Sequence, residues 1–419
     1  MAAPVSVANL PLTTLAPGAI GPLTGLRVID LSRLVSGNML SLQLGDFGAD
    51  VIKVETVGRG DALRDWAEPH ADYPEGFDGW WRIYCRNKRS VALDLRQPEG
   101  LAWLRKLIDT ADVLIENFKP GTLETMGLAP EVLHQTRPRL VIARLSGWGQ
   151  TGPYRGLPGF GSLVEGFSGF AHKHRDTVGH PHLPNLALAD MISGFAGAFA
   201  VLAAVREVEV RGGQGQVVDV SLLEPIVAVM GPDVTMYAAT GKLTDPARKI
   251  SSPRGSYQCS DGKWVAMSGS TEPMARRVFD AIGKLHLMAD PRYATNAARL
   301  ERDPEIDAMV ADFVLVRSQA EVLALFRAKG VTMGPILDPE QLLDDPHVAG
   351  RGVYVRLDDG SGQPPTVMHG ISARLHGTPG AIRRRAPRLG EHTAEILAEL
   401  GATTDEVQDI VALNQTKAA

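Results

Sequence analysis

The sequence predicts a doubly wound α/β fold with a mostly parallel sheet, followed by a smaller α+β domain. Six short runs with apolar centres recur between residues 26 and 221, and helical patterns separate most of them. Strands that alternate with helices form parallel sheets whose two faces are covered by helices. Beyond residue 222 the alternation gives way to a hairpin pattern and several helices. The 419 residues are enough for two or three domains.

The predicted strands of the sheet cover residues 26–31, 49–55, 90–95, 112–117, 140–145 and 216–221. Helices are predicted for residues 34–44, 98–110 and 130–135, and Pro98 occupies a favoured first-turn position. Residues 1–21 contain three prolines and no lysine or arginine. They lack the basic region of a signal peptide, so we predict a loose N-terminal arm.

The pattern after residue 222 predicts one long connecting helix over residues 222–240 and a loop over residues 246–255. A hairpin turns at Ser260–Asp261–Gly262, and helices continue to about residue 329. Strands are expected near Val353 and Ser372, and a closing helix over residues 391–400.

Composition excludes several classes of protein. The formal net charge is −5, so no strong attraction to nucleic acid or to an anionic membrane is expected. Cys85 and Cys259 lie far apart and outside any CxxC pair, which disfavours disulfides and a zinc site and favours a reducing, cytoplasmic location. No apolar run comes close to the ~20 residues of a membrane span, so no membrane partner is expected.

One stretch, residues 185–197, reads as a helix rich in small residues with a single ionisable side chain, Asp190. A carboxylate in such surroundings must be hydrogen-bonded, have a raised pKa or face a cleft. The small neighbours leave room for a ligand or another backbone. We therefore predict a ligand site built around Asp190. The alternative is a structural aspartate that caps a turn or pairs with an arginine.

Ligands of doubly wound sheets bind at the carboxyl ends of the strands. Glu55 ends the second predicted strand, where a ribose-binding acid lies in dinucleotide sites. The turn after the first strand, residues 31–38, has only Gly37 and not the GxGxxG pattern, and no GxxxxGK[ST] pattern occurs. A different, nucleotide-like ligand is thus favoured over NAD and ATP.

Seven segments stand out along the chain: LRVIDLSR at 26–33, GADVIKVE at 48–55, NKRS at 87–90, ADVLIENF at 111–118, PG at 120–121, GWGQTGP at 147–153 and EGFSG at 165–169. Together they resemble the class III coenzyme A (CoA) transferases, which include formyl-CoA and carnitine CoA transferases. Their order and spacing, over nearly the whole chain after the arm, make the resemblance specific.

The resemblance implies a Rossmann-like large domain built from N- and C-terminal segments, a small domain and an interlocked homodimer. The expected division is an arm (1–21), large-domain segments (22–225 and 351–419), a linker helix and loop (226–250), a small domain (251–332) and a second linker (333–350). CoA is expected as part of the acyl-CoA substrate, with a small carboxylic acid as the other partner. No permanently bound cofactor and no metal are expected.

The same resemblance implies that Asp190 is the catalytic nucleophile, forming an aspartyl anhydride and then an aspartyl-CoA thioester. The family's CoA-lining segments fall on Val35, Ser36, Thr56, Leu93, Arg96, Asn117, Phe118, Lys119, Thr125, Gly159, Phe160 and Gly161. Arg96 and Lys119 would meet phosphates, and Leu93 and Phe118 would flank the adenine. Ordinary strand-end and surface roles are the alternative for each. Arg33 and Arg254 are the expected substrate contacts, although Arg254 also fits a solvated loop residue.

The chain departs from parts of the family. Formyl-CoA transferase has glutamine at the position of Val35, an acid at Gly161 and more glycines in the loop matched to residues 250–255, which disfavours oxalate and formate. The racemase branch needs a histidine where this chain has Phe160, which disfavours α-proton chemistry. A racemase-like enzyme and a non-catalytic subunit of a heteromeric transferase remain the alternatives.

The segment from His172 to His182 contains four histidines, counting both ends. Their spacing has no i, i+4 helical pair and no supporting cysteine, so we interpret the segment as a solvated loop rather than a metal site. A gating or substrate-contact role is the lesser alternative.

Overall fold

The computed structural model describes residues 7–66, 78–176, 178–243, 245 and 249–416, with side chains to residue 411. The chain divides into two compact units. The larger runs from Leu10 to Pro232 and resumes at Ala349, and the smaller covers Asp233–Val348 together with residues 7–9. The predicted linker 226–250 therefore spans the unit boundary, which falls at Pro232. Predicted features in residues 1–6, 67–77, 177, 244, 246–248 and 417–419 lie outside the described residues.

The larger unit begins with β1 Leu12–Thr14, β2 Arg27–Asp30, α1 Ser36–Asp46, β3 Asp50–Glu55, α2 Gly79–Tyr84, β4 Lys88–Ala92, α3 Pro98–Ile108, β5 Val113–Glu116, α4 Thr122–Thr125, α5 Pro130–Thr136, β6 Val141–Ser146, α6 Gly161–Phe167, α7 Phe170–Lys173, α8 Leu188–Arg211, β7 Val217–Ser221 and α9 Leu223–Val229.

The smaller unit contains α10 Asp233–Thr240, β8 Arg254–Gln258, β9 Trp264–Ser268, α11 Glu272–Ala281, α12 Pro291–Ala294, α13 Asn296–Glu301, α14 Asp303–Leu315, α15 Gln319–Ala328, β10 Met333–Ile336 and α16 Pro339–Asp344. The chain then continues with α17 Pro346–Arg351, β11 Tyr354–Asp358, β12 Thr366–His369, α18 Thr393–Glu399 and α19 Thr404–Thr416. Short 3₁₀ segments cover Ala62–Asp65 and Leu285–Ala289.

Six parallel strands form the central sheet of the larger unit, in the order β4-β3-β2-β5-β6-β7. Counted along the chain within this sheet, the order is third, second, first, fourth, fifth, sixth, the arrangement of dinucleotide-binding domains. The prediction of a doubly wound parallel sheet is therefore confirmed. The order reverses between β2 and β5, which makes their carboxyl ends the switch point where ligands bind in such sheets.

Alternate residues of the central strands supply two hydrophobic cores. Val28 of β2 faces one core with helices α1 and α8, while the next residue, Ile29, faces the other with α3 and α18. Because α18 comes from the C-terminal segment, both ends of the chain build this unit. Strands covered on both faces need apolar centres, which is what the sequence pattern showed. Three of these strands also carry a fully buried charged residue: Asp30 on β2, Lys53 on β3 and Lys88 on β4.

Outside the central sheet, the predictions for the N-terminal arm and for one long helix are wrong, and one predicted strand lies slightly earlier in the chain than expected. The arm is not loose throughout, because β1 pairs in parallel with β11, which also pairs with β12. The second C-terminal strand is β12 and ends before Ser372. The long helix predicted over residues 222–240 is broken into α9 and α10, because Gly231 has a φ of +82° and Pro232 cannot continue the hydrogen bonds of α9.

The smaller unit contains an antiparallel sheet in the order β10-β9-β8. Its core includes Val265, Phe279, Ile306 and Phe326, all fully buried. The predicted hairpin corresponds to β8 and β9, and the helices predicted to follow are α11–α15. The predicted linker 333–350 instead holds β10 and α16, so the sheet of this unit is completed by residues that sequence reasoning left outside it.

Helix α8 is the one helix in the described part of the chain that is long and apolar enough to cross a membrane, with 24 residues and a mean hydropathy of 1.9. The prediction that no apolar stretch reaches such a length is therefore wrong. Nearly half of its apolar window, 44%, is buried, and Val201 and Val205 belong to the core beside the sheet. A core helix meets the same criteria of length and composition.

Candidate active site

The two loops at the switch point of the sheet are joined by one asparagine side chain. The carboxamide oxygen of Asn117 accepts a hydrogen bond from the backbone N–H of Arg33 at 2.9 Å, and its nitrogen donates to the Arg33 carbonyl at 2.7 Å. Asn117 directly follows β5, and Arg33 follows β2. The oxygen and the nitrogen of this amide thus tie the loop after β5 to the loop after β2.

A cleft of about 460 Å³ opens at this point. It lies at the ends of three neighbouring strands, and its walls include residues 33, 34, 36, 117–120, 145–148, 155 and 157–160. A second cleft of about 430 Å³ shares only Leu34, Phe160 and Asp190 with the first. Trp66 and Trp80, whose ring centroids are 4.8 Å apart, line the second cleft. Asp190 therefore borders both cavities.

The turn after β2 carries backbone strain next to Asp190. Leu34 has a φ of +61°, a conformation that a non-glycine residue adopts only when its surroundings hold it. Its N–H donates to Oδ1 of Asp61 at 2.9 Å, while Oδ2 of Asp61 accepts from the Asn38 amide at 2.8 Å. Lys53 Nζ lies 3.0 Å from the same carboxylate. Asp61 thus holds the turn in place.

Buried charged side chains surround Asp61 beneath this turn. Asp30, Lys53 and Lys88 are fully buried, and both ammonium groups contact the Asp30 carboxylate, at 3.4 and 3.5 Å. Burial alone would raise the pKa of Asp61, but Lys53 and the hydrogen bonds from Leu34 hold that pKa below its usual range. Two lysines and two aspartates therefore form a charge-balanced network beneath the turn.

Asp190 lies in the first turn of α8 and is half-buried. Burial, and next the negative charge of Glu165, raise the pKa of Asp190 to about 6, although the hydroxyl and the N–H of Ser36 donate hydrogen bonds to its carboxylate. A helix N-terminus favours a carboxylate, so burial and repulsion outweigh the dipole here. With this pKa the carboxyl group is mostly ionised at neutral pH and more basic than an ordinary aspartate.

Glycines adapt the site and its helix in different ways. A Cβ placed on Gly161 would lie 2.3 Å from Oδ2 of Asp190, so only glycine leaves the carboxylate where it is. Gly194 and Gly197 of α8 would meet Met39 and Leu40 of α1 at 2.6 and 2.7 Å. The small residues of α8 that we expected around a ligand thus serve in part for close packing against α1.

The structure brings most of the predicted site residues to the two clefts. Those in the first are Arg33, Ser36, Asn117, Phe118, Lys119, Gly159 and Phe160, and those in the second are Val35, Phe160 and Gly161. The Arg33 guanidinium lies 5.9 Å from the ring centroid of Phe118, within reach of a cation–π contact.

Four predicted CoA contacts line neither cleft. Leu93 is 2% exposed and packs in the core, so its side chain is not available to flank an adenine. Arg96 pairs with Asp94 at 3.0 Å, and the Thr125 hydroxyl donates to the Thr122 carbonyl at 2.8 Å. Thr56 accepts from Arg33 Nη2 at 3.4 Å. For Leu93 and Arg96 the cause is the strand order, which places β4 at the edge of the sheet, away from the switch point.

Arg254, the other predicted substrate contact, begins β8 in the smaller unit and is exposed. In the segment 172–182, Asp176 accepts hydrogen bonds from the backbone N–H groups of Val178 and His180, and His182 Nε2 lies 3.2 Å from its carboxylate. Among the residues that the structure describes, no group of three or more His, Cys, Asp or Glu side chains could hold a metal ion.

Sequence reasoning missed Asp61 and Glu165. Glu165 is 2% exposed, and its Oε1 accepts from the backbone N–H of Ala189 at 3.0 Å. Two signals pointed to Glu165: it is an acid in an otherwise apolar and small-residue segment, and it begins the EGFSG segment that resembles the family. The signal for Asp61 was an acid in the glycine-containing loop that follows β3. Neither signal says which groups the carboxylate contacts.

Comparison with known proteins gives a consistent result. The family model described as CoA-transferase family III matches residues 23–393. A succinyl-CoA–D-citramalate CoA-transferase of Chloroflexus aurantiacus is 35% identical, over 92% of this chain and 96% of its own length. A succinate–glutarate CoA-transferase of Agrobacterium fabrum is 35% identical, over 92% and 97%. The β subunit of a succinyl-CoA–L-malate CoA-transferase of Chloroflexus aurantiacus is 37% identical, over 93% and 96%.

A solved structure shows the same fold. The crystal structure of a CAIB/BAIF family protein from Brucella suis superimposes with a TM-score of 0.80 at 30% identity, over 91% of this chain and all of that one. The family model spans all six strands of the central sheet, the loops of both clefts and Asp190. The chain therefore belongs to CoA-transferase family III and is a CoA-transferase.

Proposed function

We propose that this enzyme moves CoA from an acyl-CoA thioester to a free carboxylic acid through covalent intermediates on Asp190. The observation that carries the proposal is the position of Asp190 at the junction of two clefts, at the switch point of the sheet, with Ser36 donating to its carboxylate. One cleft suits the long CoA moiety and the other the acyl group or the incoming acid. The carboxylate between them reaches both.

In the first half-reaction, an Asp190 oxygen attacks the thioester carbonyl, the C–S bond breaks and the electron pair leaves on sulfur. The CoA thiolate then attacks the Asp190 carbonyl of the mixed anhydride, which releases the donor acid and leaves an aspartyl-CoA thioester. The second half runs the same steps in reverse with the acceptor acid. Each step exchanges one acyl bond for another, so no proton is consumed overall.

Hydrogen-bond donors at the site support these steps. The Ser36 N–H and hydroxyl would stabilise negative charge that develops on oxygen near Asp190. Arg33, Lys119 and Arg155 line the first cleft and supply positive charge for the phosphates of CoA. Phe118 in the same cleft offers an aromatic face. We assign the first cleft to CoA on these grounds.

The relatives suggest the class of acids. Their names give succinyl-CoA or succinate as one substrate and D-citramalate, L-malate or glutarate as the other. Succinate, D-citramalate, L-malate and glutarate are all short dicarboxylic acids. We propose that this chain uses succinyl-CoA or a similar thioester as donor and a short dicarboxylic acid as acceptor.

The experiment is to incubate the protein with succinyl-CoA, quench with acid and search the Asp190 peptide by mass spectrometry. We expect a CoA adduct on Asp190 and none in Asp190→Asn, which keeps the size of the side chain but not its nucleophilic oxygen pair. Transfer of CoA to glutarate should be lost in the variant. Turnover retained by Asp190→Asn would sink the proposal.

We also propose that two copies of this chain form the functional particle. Helices α8 and α9 carry exposed Phe195, Phe199, Val227 and Val229 on the larger unit, an apolar surface that a second copy would cover. Relatives named as α and β subunits make a heteromer the alternative. Mass photometry of the purified chain with succinyl-CoA:glutarate activity decides: an active dimer supports the proposal, and a monomer or an inactive dimer contradicts it.

A further inference from the structure

We propose that Glu165 is a positioning residue for the reaction, which keeps the Asp190 carboxylate in a high-energy, reactive state by charge repulsion. The inference rests on the proposed role of Asp190 as nucleophile. It assigns Glu165 a role in the reaction beyond its hydrogen bond to the start of α8.

Geometry places the two carboxylates side by side. A Cβ on Gly161 would lie 2.3 Å from Oδ2 of Asp190 and 3.7 Å from Oε1 of Glu165, so this one empty position borders both groups. Glu165 is 2% exposed, and Asp190 is half-buried. Water screens charges poorly in such a place, so two ionised carboxylates repel each other strongly.

Glu165 is also held in place. Its Oε1 accepts from the N–H of Ala189, one residue before Asp190 in the first turn of α8. The positive end of the helix dipole favours an ionised acid there. The hydrogen bond fixes the distance between Glu165 and the nucleophile, because donor and nucleophile belong to the same helical turn.

Among the described residues that line the second cleft, no cation neutralises the pair. In the described part of the second cleft, Glu165 and Asp190 are the only ionisable side chains. Among the described residues no ion pair to Glu165 occurs within 4.0 Å. The first cleft brings Arg33, Lys119 and Arg155 to the other side of Asp190, where they are exposed and available to phosphates.

Acylation of Asp190 removes its charge and ends the repulsion. Glu165 therefore raises the free energy of the free enzyme relative to the mixed anhydride and the aspartyl-CoA thioester, which makes attack on a thioester easier. A more basic carboxylate is also a better nucleophile. The raised pKa of Asp190, caused first by burial and next by Glu165, agrees with this effect.

Two substitutions separate the charge from the hydrogen bond. Glu165→Gln keeps an oxygen that can accept from Ala189 but removes the charge, whereas Glu165→Ala removes both. Glu131→Gln is the matched control, since Glu131 is exposed on α5, at the opposite end of β6 from the clefts. The readout is the rate of CoA-adduct formation at the Asp190 peptide with succinyl-CoA, measured by acid quench from pH 4.5 to 8.

In Glu165→Gln, the acid limb of the rate profile should move down by about one pH unit, because the Asp190 pKa falls when the neighbouring charge is lost. The plateau rate should fall several-fold, because the nucleophile is less basic. Glu165→Ala should shift the limb equally and melt at a lower temperature, and Glu131→Gln should match the wild type.

An acid limb that stays in place in Glu165→Gln would overturn the inference. Equal slowing of Glu165→Gln and Glu165→Ala with no shift would do the same and indicate that Glu165 only packs the helix start. These results differ from failure of the proposed function, which would show as an absence of adduct on Asp190 in the wild type.

Discussion

Gly161 offers a sharp test of how closely the site is built around the nucleophile. In Gly161→Ala, the new Cβ would lie 2.3 Å from Oδ2 of Asp190, whereas ordinary contacts begin at 3.4 Å. The carboxylate must therefore move by about 1 Å, and a misplacement of that size lowers a reaction rate by about 100-fold. Stability should change little, because the end of one side chain gives way rather than backbone.

Gly166 on the same helix provides the matched control. A Cβ there meets nothing within 4 Å. Gly166→Ala should keep full activity and gain about 0.5–1 kcal/mol of stability, because alanine is the better helix former. The assay is kcat/KM for CoA transfer from succinyl-CoA to glutarate, with thermal melting of both variants. If Gly161→Ala stays within threefold of Gly166→Ala, the geometry described for Asp190 does not govern the reaction.

Two further substitutions probe the buried charges. Asp61→Asn keeps an acceptor for the Leu34 N–H but removes one of the two anions beside Lys53. Urea unfolding should therefore show a loss of about 3 kcal/mol in the free energy of unfolding, and kcat should fall by a larger factor than KM rises. A variant as stable as the wild type would refute the role of Asp61 in holding the turn after β2. The Asp190 pKa of about 6, against an ordinary 3.8, means that ionised Asp190 destabilises the fold above pH 6 and that this penalty disappears below pH 3.8. Asp190→Asn should therefore raise the melting temperature at pH 7.5, where the gain in the free energy of unfolding is at most about 3 kcal/mol, and leave the melting temperature unchanged near pH 4. A larger gain at pH 4 than at pH 7.5 would contradict the burial argument.

The sequence pattern was sufficient for the fold class because the central strands have apolar centres that alternate between two covered faces. Val28 and Ile29 face different cores, and they stand in the sequence as adjacent apolar residues of one predicted strand. Strand order was not predictable from the pattern. It placed β4 at the edge and so removed Leu93 and Arg96 from the clefts.

The sequence singled out the carboxylate at the centre of the candidate site but not its surroundings. Asp190 stood out because an acid in an apolar helix needs an explanation, and the resemblance to the transferases favoured a catalytic role over a structural one. Glu165 and Asp61 act through contacts with Ala189 and Leu34, which lie 24 and 27 residues away in the chain. Such contacts depend on how α6, α8 and the turn after β2 pack together, and no local spacing encodes that packing.

The central claim is that Asp190 carries the transferred group, and isotopic labelling tests it most directly. In the proposed mechanism an oxygen of the acceptor acid becomes the bridging oxygen of the second anhydride. The CoA thiolate then breaks the bond to the acceptor's acyl carbon, so that oxygen remains on Asp190. After a single turnover with succinyl-CoA and glutarate labelled with oxygen-18, the Asp190 peptide should carry one heavy oxygen. An Asp190 peptide without label after complete transfer to glutarate would contradict the account.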